Sequence, residues 1–278
     1  MGEEKGHLSG KVAWVTGSSR GIGRVIATHL ADMGAAVALH GTTATSTQAF
    51  GEGNSLEEVA SDIAAQSGAR VLPVHGDLTD EGVVTHMVET IRAELGSVDI
   101  LVNCAGGDIG AAGTSAPMAG KPPQNDAVSI ALEDIRTVLD RNLMTCILCS
   151  RAVAPEMMER RAGHIVSIGS IAGLFGTENS AIYATAKAAV HEYTRCLAEM
   201  LRAHNVTANV IAPGDIQTPR FLASRVVDED MQQDGGTLVR YGQSIEIARA
   251  VEFLVSDNNT YITGQVLRVD GGKQIWPS

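Results

Sequence analysis

The sequence predicts a single α/β domain: a doubly wound parallel sheet with helices on both faces. Three observations predict it. Runs of strand character alternate with runs of helical periodicity along all 278 residues. The strand runs are continuously apolar, which is the pattern of parallel strands buried on both faces. No linker, repeat or composition break divides the chain, so one domain is expected over residues 1–278. Right-handed crossovers then force the double winding.

The elements follow in order. "KVAWVTG" is a short β-rich run stopped by Gly17, and "GIGRVIATHLADMG" is a helix ending at Gly34, a natural C-terminal cap. "AAVALHG" is a second strand. "SLEEVASDIAAQSG" is a helix opened by Ser55 with Glu58 three residues on, the spacing of a capping box. "RVLPVHGD" is a third strand, "EGVVTHMVETIRAELG" a helix and "DILVNCAG" a fourth strand. A long helix ends near Arg161, followed by the strand "GHIVSIGS", an alanine-rich helix and the strand "VTANVIAPG". The helix "IEIARAVEFLVSD" precedes the last strand, "GQVLRVDGG". Three connections, after the second, fourth and sixth strands, exceed the usual short loops. All leave strand carboxyl ends, the edge where open α/β sheets bind ligands. The first reads as a tolerated surface insertion, and residues 220–240 of the third read as a lid over a substrate.

Composition narrows the partners. The chain is 44% hydrophobic and 19% charged, which supports a sizeable core. Its formal net charge of −11 and lack of any Lys/Arg run argue against nucleic acid. The N-terminus lacks the shape of a signal peptide, and no apolar stretch is long enough to span a bilayer, so a cytoplasmic protein with no membrane partner is expected. Cys104, Cys146, Cys149 and Cys196 read as small core residues. The Cys146-x-x-Cys149 pair lies in an apolar helix with no second pair at metal-site spacing, so no metal is expected.

Two stretches carry chemistry. "TGSSRGIG", Thr16 to Gly23, is the first strand-to-helix turn, where glycines let backbone N–H groups approach a diphosphate at a helix N-terminus. "AIYATAKAAV" places Tyr183 and Lys187 four residues apart, hence on one helical face. By themselves these residues also fit a surface helix with a solvated amine.

Ordered along the chain with "GDLTD", "NCAG", "LDRNLM", "IVSIGS", "YATAK", "APGDIQT" and "VDGG", these motifs resemble the short-chain dehydrogenase/reductase family, particularly its 3-oxoacyl-carrier-protein reductase-like members. The resemblance covers nearly the whole chain and implies a Rossmann-type fold. It implies Tyr183 as general acid/base and a cofactor contact, Lys187 as its partner and a ribose ligand, Ser170 as a donor to the substrate oxygen, and Asn142 as holder of a water linking Lys187 to solvent. A nearby ammonium lowers a phenol's pKa, which suits the Tyr183–Lys187 pairing. For the cofactor it implies Gly17, Ser18, Ser19, Arg20, Gly21, Ile22 and Gly23 around the phosphates, and Asp77 and Leu78 at the adenine. Asn103, Ala105 and Gly106 fall under the adenosine ribose, and Pro213, Gly214, Ile216 and Thr218 at the nicotinamide.

NADP(H) is the expected cofactor, with NAD(H) possible. The end of the second strand falls at Gly41, so no carboxylate opposes a 2′-phosphate there. Arg20 supplies a positive donor, and Thr42 matches a phosphate-contacting position of similar reductases. The expected reaction is hydride transfer between the nicotinamide and a small-molecule carbonyl or secondary alcohol, 3-oxoacyl-reductase-like. The alternatives are a dehydrogenase of a sugar, polyol or other small polar alcohol, and a non-catalytic NADP-binding protein, which would not need the complete Asn142–Ser170–Tyr183–Lys187 set. The resemblance also implies a homo-oligomer, a tetramer, with Trp276 in the tail as a candidate contact.

Overall fold

The computed structural model describes residues 6–232 and 235–275. All seven apolar runs form strands: β1 (Val12–Val15), β2 (Ala36–Gly41), β3 (Val71–His75), β4 (Ile100–Asn103), β5 (Gly163–Ile168), β6 (Val206–Pro213) and β9 (Val266–Val269). They make one parallel sheet in the order β3-β2-β1-β4-β5-β6-β9. The helices are α1 (Gly21–Asp32), α2 (Leu56–Ser67), α3 (Glu81–Glu94), α4 (Leu132–Leu139), α5 (Thr145–Arg160), α6 (Ala181–Leu201), α7 (Pro219–Ala223) and α8 (Ser244–Val255). A two-stranded pair, β7 (Ile216–Gln217) with β8 (Gly242–Gln243), lies within the third long connection.

The strand period of two divides the core. Ala13 and Val15 of β1 face one layer with Leu30 of α1, Ile63 of α2 and Val251 of α8. Val12 and Trp14 face the other, with Ile91 of α3, Met157 of α5 and Leu201 of α6. Trp14 is fully buried. Burial of both faces explains why these strands read as unbroken apolar runs.

The helix signals hold with two adjustments. Ser55 caps α2 by accepting the Glu58 N–H at 3.1 Å, but the Glu58 carboxylate reaches the Asn54 N–H at 3.0 Å, one residue earlier than a reciprocal box requires. The long helix ending near Arg161 is not continuous. A π-helical turn at Asp140–Met144 separates α4 from α5, and Asn142 sits inside it.

The chain runs from β1 outward to β2 and β3, then crosses to β4 on the other side of β1. β1 therefore pairs with both β2 and β4. This reversal opens a crevice at the strand carboxyl ends, the place where such sheets bind ligands.

Candidate active site

A cleft of about 690 Å³ occupies that crevice. Its wall includes every expected site residue except Ser18, Asn103 and Asn142, whose side chains lie beneath it.

One end is the first strand-to-helix turn. Gly17 adopts φ 63°, and a side chain there would stand 2.7 Å from the Ala105 Cα, so the turn after β1 can approach β4 only as glycine. His40 of β2 braces this turn from below. Its Nδ1 accepts the Gly17 N–H at 3.0 Å, its backbone N–H donates to Ser18 Oγ at 2.8 Å, and its carbonyl accepts the Ser19 N–H at 3.0 Å. With Nδ1 accepting, the ring proton belongs on Nε2, which lies 3.1 Å from the Gly76 carbonyl. Burial pushes the His40 pKa down to about 4 and keeps the ring neutral. The Ser18 hydroxyl donates to the Val15 carbonyl at 2.6 Å, and Asn103 donates to Ser150 Oγ at 3.0 Å. Both side chains support the cleft from behind.

The loop after β2 departs from its expected role as a surface insertion. Thr47 is fully buried, and Glu52 folds back so that its Oε2 accepts the Gly21 N–H at 2.7 Å, at the N-terminus of α1. Helix α1 has no acidic residue in its own first turn, so Glu52 supplies the negative charge that its dipole favours. Arg24 donates to the Glu52 carbonyl. Arg20 donates to the Ser46 carbonyl at 2.6 Å, with its guanidinium 5.3 Å from the Phe50 ring centre. The turn thus already binds an anionic oxygen with a backbone N–H, the chemistry a dinucleotide phosphate requires. The residues fit such a group.

At the other end, Tyr183 and Lys187 share a face of α6, with Lys187 Nζ 5.7 Å from the Tyr183 ring centre. The buried Lys187 donates to the Ile168 carbonyl at 2.7 Å. Burial pushes its pKa down, while the Cys104 and Cys146 thiols oppose that shift. Burial likewise pushes the Tyr183 phenol above its usual value. The groups pulling it back are the Ser170 side chain and the Arg220 and Arg225 guanidiniums. The Lys187 ammonium is directed at the end of β5, and the cations of the third connection that pull the phenol down are Arg220 and Arg225.

Ser170 stands just past β5, its Oγ accepting the Ala172 N–H at 3.1 Å. Behind it, the Ser170 N–H donates to His191 Nε2 of α6 at 3.4 Å. Burial lowers the His191 pKa to about 4, so this ring too is a neutral brace. Asn142 spends its side chain on the backbone. Its Nδ2 donates to the Val138 and Gly107 carbonyls at 2.8 and 2.9 Å, and its Oδ1 accepts the Gly107 N–H at 2.9 Å. A Cβ on Gly106 would lie 2.6 Å from that Oδ1, so the contact needs glycine, here at φ 154°.

The connection after β4 is anchored to the start of α6. Ser180, held at φ 65°, donates its hydroxyl to Asp108 Oδ2 at 2.7 Å and its N–H to the Asn125 carbonyl at 2.6 Å. Asn125 Nδ2 also donates to Asp108 Oδ2 at 2.7 Å. Arg220 of α7 donates to the Asp108 carbonyl at 2.7 Å, and Arg225 pairs with Asp215 at 2.7 Å. Sequence reasoning missed His40, Glu52, Asp108, Lys121, His191 and Arg225 as site residues. Arg225 carried a signal as part of the expected lid, and Asp108 and Lys121 lay in the long connection after the fourth strand. Of the cysteines, Cys146 and Cys149 are buried as expected, but Cys104 lines the cleft and Cys196 is exposed. Gln233, Asp234 and Trp276 lie outside the described residues. Among the described residues no cluster of three His, Cys, Asp or Glu side chains is placed to hold a metal ion, and no helix is long and apolar enough to cross a membrane.

A glycine-rich phosphate turn facing a Ser–Tyr–Lys group across the switch of a parallel sheet defines a dinucleotide-dependent oxidoreductase. Residues 11–225 match the family model described as short chain dehydrogenase. The chain is 37% identical over 271 residues to 3-oxoacyl-acyl-carrier-protein reductase FabG of Escherichia coli (strain K12), covering 96% of this chain and 98% of the relative. It is 38% identical over 272 residues to cyclohexanol dehydrogenase of Rhodococcus sp. (strain TK6), covering 95% and 96%. A solved 7α-hydroxysteroid dehydrogenase, complexed with NADH and 7-oxo glycochenodeoxycholic acid, superposes with a TM-score of 0.80 at 30% identity over 98% of both chains. The chain belongs to the short-chain dehydrogenase/reductase family and is an oxidoreductase acting on CH–OH or C=O groups.

Proposed function

We propose that the chain uses NADP(H) to interconvert a carbonyl and a secondary alcohol, 3-oxoacyl-reductase-like in its reaction, with Asn142, Ser170, Tyr183 and Lys187 as its catalytic group. The observation that carries this is the single cleft wall joining the phosphate turn at Gly17–Gly23 to Ser170 and Tyr183. When bound, the nicotinamide accepts or supplies the hydride at its ring C4. In alcohol oxidation the substrate carbon loses that hydride and its oxygen gives a proton to Tyr183; reduction is the reverse. Ser170 Oγ holds the substrate oxygen and Lys187 the ribose. Asn142 fixes the Gly106–Gly107 backbone beside Lys187.

The NADP(H) preference rests on the end of β2, where Gly41 and Thr42 present no carboxylate, and on Arg20 beside them. A Cβ on Gly41 would meet Thr43, Ser19 and Ser46 at 3.1–3.2 Å, so a carboxylate tolerated without crowding belongs one residue on, at the exposed Thr42. Wild type should give higher kcat/KM with NADP(H) than with NAD(H), and Thr42→Asp should erase or invert that ratio. A wild-type preference for NAD(H) overturns the assignment. Residues 220–240 form the substrate lid in this reading. The chain works in the cytoplasm as a homotetramer, associating through the long helices and the β9 side, where Phe253 and Leu267 are exposed. Light scattering tests the assembly: a monomer at micromolar concentration refutes it.

A further inference from the structure

The roof over Tyr183 carries an unusual charge balance. Four cations line this end of the cleft: Lys121 from the connection after β4, Arg220 and Arg225 from the segment at α7, and Lys273 beyond β9. Two carboxylates face them, which leaves two positive charges in excess. Asp215 is shared between Arg225 and Lys273. Asp108 spends its Oδ2 on Asn125 and Ser180, both neutral donors, while its buried Oδ1 has no hydrogen-bond partner among the described residues and its charge acts on Lys121 and Arg220 from beyond ion-pair distance. Two cations are left over. Among the described residues, Arg220 has only the Asp108 backbone carbonyl as hydrogen-bond acceptor, and its Nε is buried without a partner. Lys121 has no side-chain hydrogen bond or ion pair among the described residues.

These cations crowd one another at a cost. Burial and the neighbouring Arg225 push the Lys121 pKa down and Arg220 adds to that push, against the opposing pull of Asp108 and Asp215. Arg220 acts in turn on Tyr183. Arg225 lies 3.9 Å from the Phe221 ring centre, which fixes its guanidinium over the hydrophobic floor of α7. A protein with a formal net charge of −11 has thus set four cations against two carboxylates in one half-buried place. Cations facing a cleft in partly excluded water attract an anionic ligand strongly, and a guanidinium fork matches the two oxygens of an acid group.

We propose that the substrate carries an acid group, a carboxylate or phosphate ester, within a few bonds of the reacting carbon, and that Lys121 and Arg220 receive it. Small hydroxy acids, oxo acids and sugar acids or phosphates have this form; a simple neutral ketone or alcohol does not. The acid group itself is unchanged by the reaction. This rests on the assignment of Tyr183 to the reacting end, so binding and turnover are measured separately.

The binding test uses the Tyr183→Phe protein, whose turnover should be too slow to disturb the titration, saturated with NADP⁺. Calorimetry compares three matched pairs: 3-hydroxybutyrate with its methyl ester, gluconate with sorbitol, and glycerol 1-phosphate with glycerol. The acid of at least one pair should bind tenfold or more tighter than its neutral partner, and the pairs distinguish carboxylate from phosphate. Lys121→Met should cut that advantage about fivefold, the loss of one ion pair in partly screened surroundings, and Lys121→Arg should restore it. Acids binding no tighter than neutral partners in every pair overturns the proposal, as does an acid preference indifferent to Lys121→Met. Failure of the wild type to reduce NADP⁺ with an acid that binds tightly instead counts against the Tyr183 assignment and leaves the acid subsite standing.

Discussion

The two ends of the cleft differ in how their charge is settled. At the α1 end, the N–H of Gly21 already has Glu52, and Arg20 and Arg24 are committed to carbonyls of the same loop. At the Tyr183 end, Arg220 and Lys121 have no ion pair among the described residues, and Asp108 acts on both only from farther off. The first end is a finished electrostatic unit that a cofactor must enter by competition. The second is unfinished and gains charge neutrality from what it binds. Recognition of the constant ligand and of the variable one thus use opposite devices on a single sheet edge.

The sharpest test of this division removes a group from the reacting end alone. Tyr183→Phe keeps the ring and deletes the transferable proton, so kcat should fall by ~10²–10⁴. Cofactor affinity, set mainly by the phosphate turn and by Lys187, should stay near wild type in a fluorescence titration. A variant with near wild-type kcat removes Tyr183 from the chemistry, and one that loses cofactor binding breaks the separation of the two ends.

A neutral buried histidine braces each end, which makes a second test through pH. His40 and His191 both sit at about 4, below the ordinary 6.5, so the unfolded chain takes up their protons first. Each contribution is complete above about pH 6.5 and is lost as pH falls towards 4, to the extent of about 3 kcal/mol apiece. Denaturant midpoints should fall over that window. His40→Gln should flatten the dependence by its own share and leave that of His191. An unchanged midpoint between pH 6.5 and 4 refutes both assignments.

The smallest expected effect lies at Glu52. Removing its charge with Glu52→Gln leaves an oxygen for the Gly21 N–H but relieves repulsion of the cofactor phosphates. Affinity for NADP(H) should rise about fivefold, the worth of roughly 1 kcal/mol at this partial exposure. Weaker binding instead makes Glu52 a contact to the cofactor rather than its competitor.

The same division governed what could be read in advance. All seven strands were visible because burial on both faces leaves each as an apolar run. The phosphate turn was visible because one short contiguous stretch, Gly17–Gly23, makes it. The pairing of Tyr183 with Lys187 followed from helical spacing alone. By contrast, Glu52 reaches Gly21 across 31 residues and Arg220 reaches Asp108 across 112. No local period or propensity encodes such contacts. His40 looked like an ordinary strand residue, because its role depends on the turn of a neighbouring strand lying over it. The break in the long helix at Asp140–Met144 was also hidden. Its composition is helical throughout, and the wider turn sets Asn142 against Gly107, 35 residues away in sequence.

A π-helical turn is equivalent to one extra residue lodged in an α-helix. Deleting a single residue between Asp140 and Met144 would let α4 and α5 fuse into one regular rod. The edit would turn everything upstream by about 100° around the axis, since each residue advances an α-helix by that angle, and Asn142 would swing away from Gly107. A shorter gene could thus encode a more regular helix and a poorer cleft. Insertions and deletions should be tolerated in the surface turns of this protein long before they are tolerated here.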